Sequence, residues 1–281
     1  MRCVNFDREF ERYLAAWMKA NSQEYKDYDA MEAAVPQVYA AFLAAPAPWL
    51  DGEKPGEYFA RYDDAEALVQ WMLEYFAQRV PVPDMLMNRI AELGLAAEGP
   101  LMRALNAENA GEDVKMTAVN LLREIESEAP LAQYVAWQAK RGDEKDELCD
   151  NALDSLASLG EKAAPLMRAA LPGATPDGQE ALLALLCDYP GDENVFQTAM
   201  KLFAQRRDKT ALLADCLGKL GDERALPALI ARAKSEETPY LDYIELRNAI
   251  ERLGGEAPDR LFDAADPMYD ALRDRQDPLS D

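Results

Sequence analysis

Apolar positions recur at helical spacing along most of the chain, and glycine interrupts them at regular intervals. Leu217 and Leu220 close one apolar stripe, Gly221 follows, and a second stripe opens at Leu229 after Pro227. Glycine ends a helix at little cost because it adopts a left-handed backbone. Proline is accepted in the first turn of a helix, where its missing N–H breaks no hydrogen bond. This stretch therefore predicts a helix, a turn and a second helix.

The same arrangement recurs along the chain with a period of about 30 residues. Its turn glycines are Gly94, Gly160, Gly191, Gly221 and Gly254, while Glu126 stands at the equivalent position of one repeat. One hairpin cannot bury its apolar stripe alone, so stacked hairpins must share a core. We therefore expect an all-α fold, an α-α superhelix of about six helical hairpins.

The first 83 residues do not follow this period. Their first apolar stripe falls on one helix face and consists of Phe6, Phe10, Tyr13, Leu14, Trp17 and Met18. Pro36 predicts a kink or a short break in the next helix. Residues 45–56 are rich in proline and glycine and predict a loop, from which Trp49 and Leu50 dock onto the helices.

The pattern predicts three regions. Residues 1–83 form an aromatic-rich N-terminal helical cap, because a fixed core suits an element that covers the end of a stack. Residues 84–265 form the repeat. Residues 266–281 form an acidic C-terminal tail.

Charge narrows the choice of partners and compartment. The net charge is −22, which repels nucleic acid and anionic membranes, so we expect neither as a partner. The first residues carry charges where a signal peptide needs an apolar run. The four cysteines show no metal-binding spacing. Reduced thiols in a cytoplasmic protein are the expected state.

Catalytic patterns are missing from the sequence. The chain contains no histidine, which removes the commonest general base and the commonest zinc ligand. It also has no glycine-rich phosphate loop, nucleophile elbow or calcium-binding loop. We therefore predict a protein that is not an enzyme and that holds no cofactor or metal.

Two segments carry a family resemblance. The residues from Leu220 to Ile230 (LGDERALPALI) and from Leu159 to Met167 (LGEKAAPLM) resemble the short HEAT-like repeats of bacteria, the type named from phycobilisome lyases. The resemblance covers residues 84–265. It implies a solenoid that serves as a binding scaffold, with the second helix of each hairpin lining the concave side. Bilin lyases and alkylpurine DNA glycosylases share such repeats. Nothing outside the repeat supports a bilin lyase here. The glycosylases have a strongly basic concave face, from which this chain departs in its net charge of −22.

The second helices suggest a candidate binding surface. Arg103, Arg168 and Lys201 each follow a methionine at the same repeat position. Stacking of the repeats would place them in one row, with Gln133 in the gap. Alternatively, these basic residues have a structural role, because the helix dipole favours cations near the C-terminal ends of helices.

An aromatic pair adds to this candidate partner-binding site. Leu131 and Val135 predict the buried face of their helix, which places Tyr134 and Trp137 on the other face beside the row. An exposed Tyr and Trp pair next to arginine is typical of an interface hot spot. The alternative is that both rings pack against neighbouring helices.

The prediction for function is a non-enzymatic scaffold that binds a protein partner through the concave face. A second possibility is an acidic inhibitor or immunity-type protein that neutralises a basic protein, which rests on charge alone. A third is a HEAT-like DNA glycosylase, which requires the basic row to outweigh the net charge of −22.

Overall fold

The computed structural model describes residues 1–260, which form fifteen α-helices joined by loops and short 3-10 turns. No strand occurs within this range. The all-α repeat fold predicted from apolar spacing is confirmed. None of the helices between residues 1 and 260 combines the length and the apolar character that a membrane span requires.

The chain divides into two compact units, residues 1–130 and the residues from 131 onward. This division falls inside the repeat region, whereas the sequence pattern predicts the end of the terminal cap at residue 83. That earlier boundary stays a prediction. The predicted tail over residues 266–281 lies outside the described residues.

Unit 1 contains seven helices. They are α1 (Phe6–Asn21), α2 (Tyr28–Glu32), α3 (Val35–Ala44), α4 (Ala65–Gln78), α5 (Asp84–Glu92), α6 (Glu98–Leu105) and α7 (Glu112–Glu124). The side chains of Asn5 and Asp64 accept backbone N–H groups at the starts of α1 and α4. Pro36 lies in the first turn of α3, directly after the gap that separates α2 from α3. The break predicted from this proline is confirmed.

Aromatic side chains fill the core of unit 1. Trp71 is 2% exposed, and its ring centroid lies 5.0 Å from that of Phe59. Trp49 stacks on Phe42 with a centroid distance of 6.0 Å, and Leu50 is buried. The loop that contains Trp49 and Leu50 therefore docks onto the helices as predicted, and ring contacts tie it to them.

The start of the chain is fastened to α4 by two of these rings. The backbone N–H of Val4 donates to the hydroxyl of Tyr75 at 3.1 Å, and Trp71 Nε1 donates to the carbonyl of Arg2 at 3.2 Å. Burial raises the pKa of Tyr75, so its hydroxyl stays neutral in the physiological range.

Unit 2 contains eight helices among its described residues. They are α8 (Leu131–Ala139), α9 (Glu147–Leu159), α10 (Ala164–Ala170), α11 (Pro176–Leu186), α12 (Glu193–Gln205), α13 (Thr210–Leu220), α14 (Leu226–Ala233) and α15 (Tyr240–Arg252). α8 packs against α9 and α10, α11 packs against α12, and α13 packs against α12 and α15. Each hairpin thus shares its apolar face with another hairpin.

The turns between helices have the backbone that the repeat predicts. The five turn glycines adopt positive φ angles, and the φ of Gly221 is 72°. Glu126, which occupies the place of the missing glycine, also adopts a left-handed backbone with a φ of 53°. The repeat therefore keeps its turn geometry even where an L-residue is strained by it.

α13 and α15 approach closely because one of them lacks a side chain at the contact. A Cβ added to Gly218 would lie 3.0 Å from the Cα of Ala249. On another side of α13, the Cys216 thiol donates toward the carbonyl of Leu183 at 3.8 Å. The neighbouring thiols of Cys187 and Cys216 shift each other: Cys216 lowers the pKa of Cys187, while Cys187 and burial raise the pKa of Cys216.

Candidate functional site

The hairpins of unit 2 contain two kinds of helix. In the repeat, α9, α11, α13 and α15 are first helices, and α8, α10, α12 and α14 are second helices. We call the solvent-facing residues of the four second helices, together with Lys140 and Lys234 at the ends of α8 and α14, the second-helix surface. Its large side chains include Trp137, Leu166 and Lys201.

Carboxylates are almost excluded from the second helices. Glu193, the first residue of α12, is the one acidic residue within α8, α10, α12 and α14. By contrast, the first helix α9 alone carries Glu147, Asp150 and Asp154. In a chain with 52 aspartate and glutamate residues, this distribution leaves one neutral to weakly basic surface.

Glu193 is itself paired with Arg224, which it shares with Asp222. The guanidinium of Arg224 donates to both of its carboxylate oxygens, at 3.0 Å and 2.7 Å, and stacks over the ring of Phe196 at 4.4 Å. The hydrogen bonds from Arg224 lower the pKa of Glu193. The single acid of the surface is therefore held by a bidentate pair at the edge of α12.

Arginines connect the second helices to one another. Arg224 precedes α14 and reaches Glu193 at the start of α12, while Arg232 near the end of α14 donates to the carbonyl of Phe203 near the end of α12 at 2.9 Å. These two contacts show that α12 and α14 run side by side in the same direction. Their guanidinium groups are used within the repeat.

Arg168 belongs to the same kind of contact. It donates to the carbonyl of Tyr189 at 3.2 Å, and its Nε lies 3.7 Å from the carboxylate of Asp192. Asp192 caps the start of α12, so Arg168 joins α10 to the next hairpin. The guanidinium of Arg168 is therefore already engaged by the turn before α12. This contact argues against the hypothesis that Arg168 presents its charge to a partner.

Tyr134 also requires a correction. Its side chain is 1% exposed, so it packs inside and is not the exposed half of a hot spot. The physical reason is the register of α8, whose buried face runs through Leu131, Tyr134, Val135 and Gln138 at helical spacing. Trp137 lies partly exposed at the border of this face, with its ring centroid 5.5 Å from that of Tyr134.

Gln138 is a structural residue that the apolar pattern did not reveal. It is fully buried, and its Nε2 donates to the carbonyl of Cys149 at 2.6 Å. Its Oε1 accepts from Arg141. A buried amide with both groups engaged fixes α8 against α9, and hydropathy alone assigns such a glutamine to the surface.

The remaining predicted residues fall in different settings. Lys201 is exposed and forms no ion pair with any other described residue. Gln133 is partly exposed on α8. Arg103 belongs to unit 1, where it is exposed on α6 and pairs with Glu66 of α4. The structure therefore keeps Gln133, Trp137 and Lys201 as candidates on the second-helix surface.

Leu166 is the exposed apolar residue that sequence reasoning missed. It follows Pro165 in the first turn of α10, and its side chain is 40% exposed. No other large apolar side chain of α8, α10, α12 or α14 is as exposed. Exposed Leu166 on α10 and partly exposed Trp137 on α8, two helices that pack together, give this surface apolar area that a partner can cover.

Unit 1 contains a separate cleft of about 340 Å³. Its walls include the rings of Tyr13, Phe42 and Trp49. The two charged residues that line it, Glu9 and Arg12, pair with each other at 2.6 Å. This pairing leaves the cleft without net charge, so the second-helix surface of unit 2 is the site with the more distinctive chemistry.

The fold and this surface define an all-α helical-repeat protein whose most distinctive feature is an acid-poor face on a strongly acidic chain. No family model matches the chain, and no curated protein or solved structure matches it either.

Proposed function

We propose that this chain is a non-enzymatic scaffold of the HEAT-like repeat type that binds a protein partner through the second-helix surface. The observation that carries the proposal is the exclusion of carboxylates from α8, α10, α12 and α14, with Glu193 as the paired exception. Random placement of acids in so acidic a chain would not spare four helices. A surface kept free of like charge is open to close contact.

The exposed apolar residues of the surface support the same proposal. Leu166 and Trp137 offer area whose burial by a partner is favourable, while the arginines that join the second helices keep the surface rigid. Rigid presentation lowers the entropic cost of binding. The free state of all four cysteines supports a cytoplasmic, reducing compartment for this scaffold.

A matched pair of leucines provides the test. Leu166 on second helix α10 and Leu212 on first helix α13 are 40% and 38% exposed. Each is changed to serine in a tagged full-length chain, and partners are captured from a lysate of the source organism. We expect Leu166→Ser to weaken capture of a specific partner about tenfold, and Leu212→Ser to leave it unchanged. Equal effects of the two changes, or no effect of either, would remove the second-helix surface as the binding site.

A second candidate is the acidic inhibitor that neutralises a basic protein. The loop between α8 and α9 supports it, because Asp143 and Glu144 are exposed there without an ion pair to any residue from 1 to 260. A salt titration of the captured complex separates the two. Binding by long-range charge falls steeply as salt rises, whereas binding centred on Leu166 and Trp137 persists. Sensitivity to salt without sensitivity to Leu166→Ser would favour the inhibitor.

A further inference from the structure

The cations of unit 2 fall into two groups. Within the described part of this unit, almost every lysine and arginine has a side-chain interaction: Arg206, for example, pairs with Asp177 at 3.0 Å, and Lys219 pairs with Asp188 at 3.0 Å. The described exceptions are Lys140, Lys201 and Lys234, which are exposed and have no such interaction.

All three exceptions belong to the second-helix surface. Lys140 directly follows α8, Lys201 lies in the second half of α12, and Lys234 caps the end of α14. Lys201 and Lys234 both lie toward the C-terminal end of their helices. Because α12 and α14 run in the same direction, these two ends lie on the same side of the second-helix surface. The helix dipole favours a cation at such an end, but it leaves the ammonium group free to pair.

Free ammonium groups are the exception among the described residues of unit 2, where most lysines and arginines pair with a carboxylate. Over the whole chain, carboxylates outnumber lysines and arginines by 52 to 30. Here the second helices hold no carboxylate that could serve, since Glu193 is occupied by Arg224. Within unit 2, the unpaired state of the three lysines therefore coincides with the exclusion of acids that defines the surface.

We propose that the second-helix surface binds an acidic peptide segment of its partner, whose carboxylates pair with Lys140, Lys201 and Lys234 and whose apolar side chains cover Leu166 and Trp137. This inference rests on the proposed function and adds the chemistry of the partner. Charge complementarity carries it: as far as residues 1–260 show, this surface offers three cations without an ion-pair partner, while its one carboxylate, that of Glu193, is paired with Arg224. Nucleic acid presents a much denser line of negative charge, which three lysines on a chain of net charge −22 do not neutralise.

The test selects peptides without assuming a partner. A phage library of random 16-residue peptides is panned on the full-length chain and, in parallel, on the triple variant Lys140→Glu, Lys201→Glu, Lys234→Glu. The matched control is Lys19→Glu, Lys26→Glu, Lys115→Glu, which changes net charge equally through three unit 1 lysines that form no ion pair with a described residue. Circular dichroism checks that each variant folds.

We expect the wild-type chain and the control to enrich peptides that combine Asp or Glu with Leu, Ile or Phe. The affinity of a synthetic copy of such a peptide, measured by fluorescence anisotropy, should fall at least about tenfold in the triple variant and less than about twofold in the control. A 16-nucleotide single-stranded DNA, used as a second probe, should not bind.

Other outcomes overturn the inference in distinguishable ways. Three results would contradict an acidic partner segment. They are enrichment of basic or uncharged peptides, binding that the triple variant retains, and binding of the DNA probe. If such peptides still lose affinity with Leu166→Ser, the proposed function stands without this partner chemistry. If no peptide depends on the lysines or on Leu166, both proposals fall.

Discussion

The two units of the chain solve the same packing problem with different side chains. Unit 1 relies on a continuous group of rings, in which Trp71 contacts Phe59 and two neighbouring tyrosines at centroid distances of 5.0 Å to 5.9 Å. Unit 2 relies on leucine and alanine at repeated positions and on close backbone approach at Gly178 and Gly218. Bulky rings fill an irregular space once, whereas small residues allow the same helix contact to recur.

The largest expected effect is the loss of a ring from unit 1. Trp71→Ala removes contacts with three rings and the hydrogen bond to the carbonyl of Arg2, so we expect a loss of about 4 kcal/mol in the free energy of unfolding. Leu217→Ala, at a fully buried position of unit 2, should cost about 3 kcal/mol. Urea unfolding followed by circular dichroism measures both values.

Hydrogen exchange sharpens the comparison between these two variants. If the units hold their cores separately, Trp71→Ala increases exchange within residues 1–130 and Leu217→Ala increases it within residues 131–260. An equal increase in both units for either variant would show that the two cores unfold together. A loss below about 1 kcal/mol for Trp71→Ala would contradict a core that depends on its rings.

A smaller effect is expected where unit 2 depends on a missing side chain. A Cβ on Gly178 would overlap the carbonyl oxygen of Gln138 and approach that of Ala139 to 3.0 Å. Gly178→Ala should therefore destabilise the protein by about 2 kcal/mol, although alanine normally favours a helix. Gly173→Ala is the control, since nothing lies within 4 Å of its added Cβ. Equal urea midpoints for the two variants would show that the contact at α8 adjusts freely.

The smallest expected effect is a gain in stability at a turn. Glu126 is exposed and holds a left-handed backbone with a φ of 53°, so Glu126→Gly should add about 0.5 to 1 kcal/mol by relieving strain. Gly221→Ala tests the reverse change, because its φ is 72° and its added Cβ meets nothing. It should cost about 1 kcal/mol. Thermal unfolding that moves in the same direction for both would contradict the shared geometry of these turns.

The turns were the part of the fold most open to prediction. Turns that require a positive φ usually contain glycine, which is visible in the sequence. Because these glycines recur at a regular period, position 126 is predicted to be a turn although it holds glutamate. Pro36 likewise marks a break through its own covalent structure. Local chemistry decides these features, so a single sequence contains enough information to locate them.

The candidate surface was only partly predictable, because its details depend on partners distant in the sequence. Lys201 is a partner-binding candidate by its repeat position, and the structure shows that its side chain is exposed; its role in binding stays a prediction. Arg168 donates to the carbonyl of Tyr189, 21 residues away, and the sequence of its own helix does not predict that contact. Tyr134 was assigned to the wrong face because Gln138, a polar residue, completes the buried stripe of α8.

The end of α8 has a consequence for how this protein is made. Thr175 satisfies the carbonyl of the last helical residue and one just beyond it: its backbone N–H donates to the carbonyl of Ala139 at 3.0 Å, and its hydroxyl donates to the carbonyl of Arg141. During synthesis, residue 141 emerges from the ribosome before residue 175. The carbonyls of Ala139 and Arg141 therefore stay hydrogen-bonded to water until the hairpin between them and Thr175 has emerged. Vectorial synthesis thus completes this end of α8 only when the start of α11 has emerged.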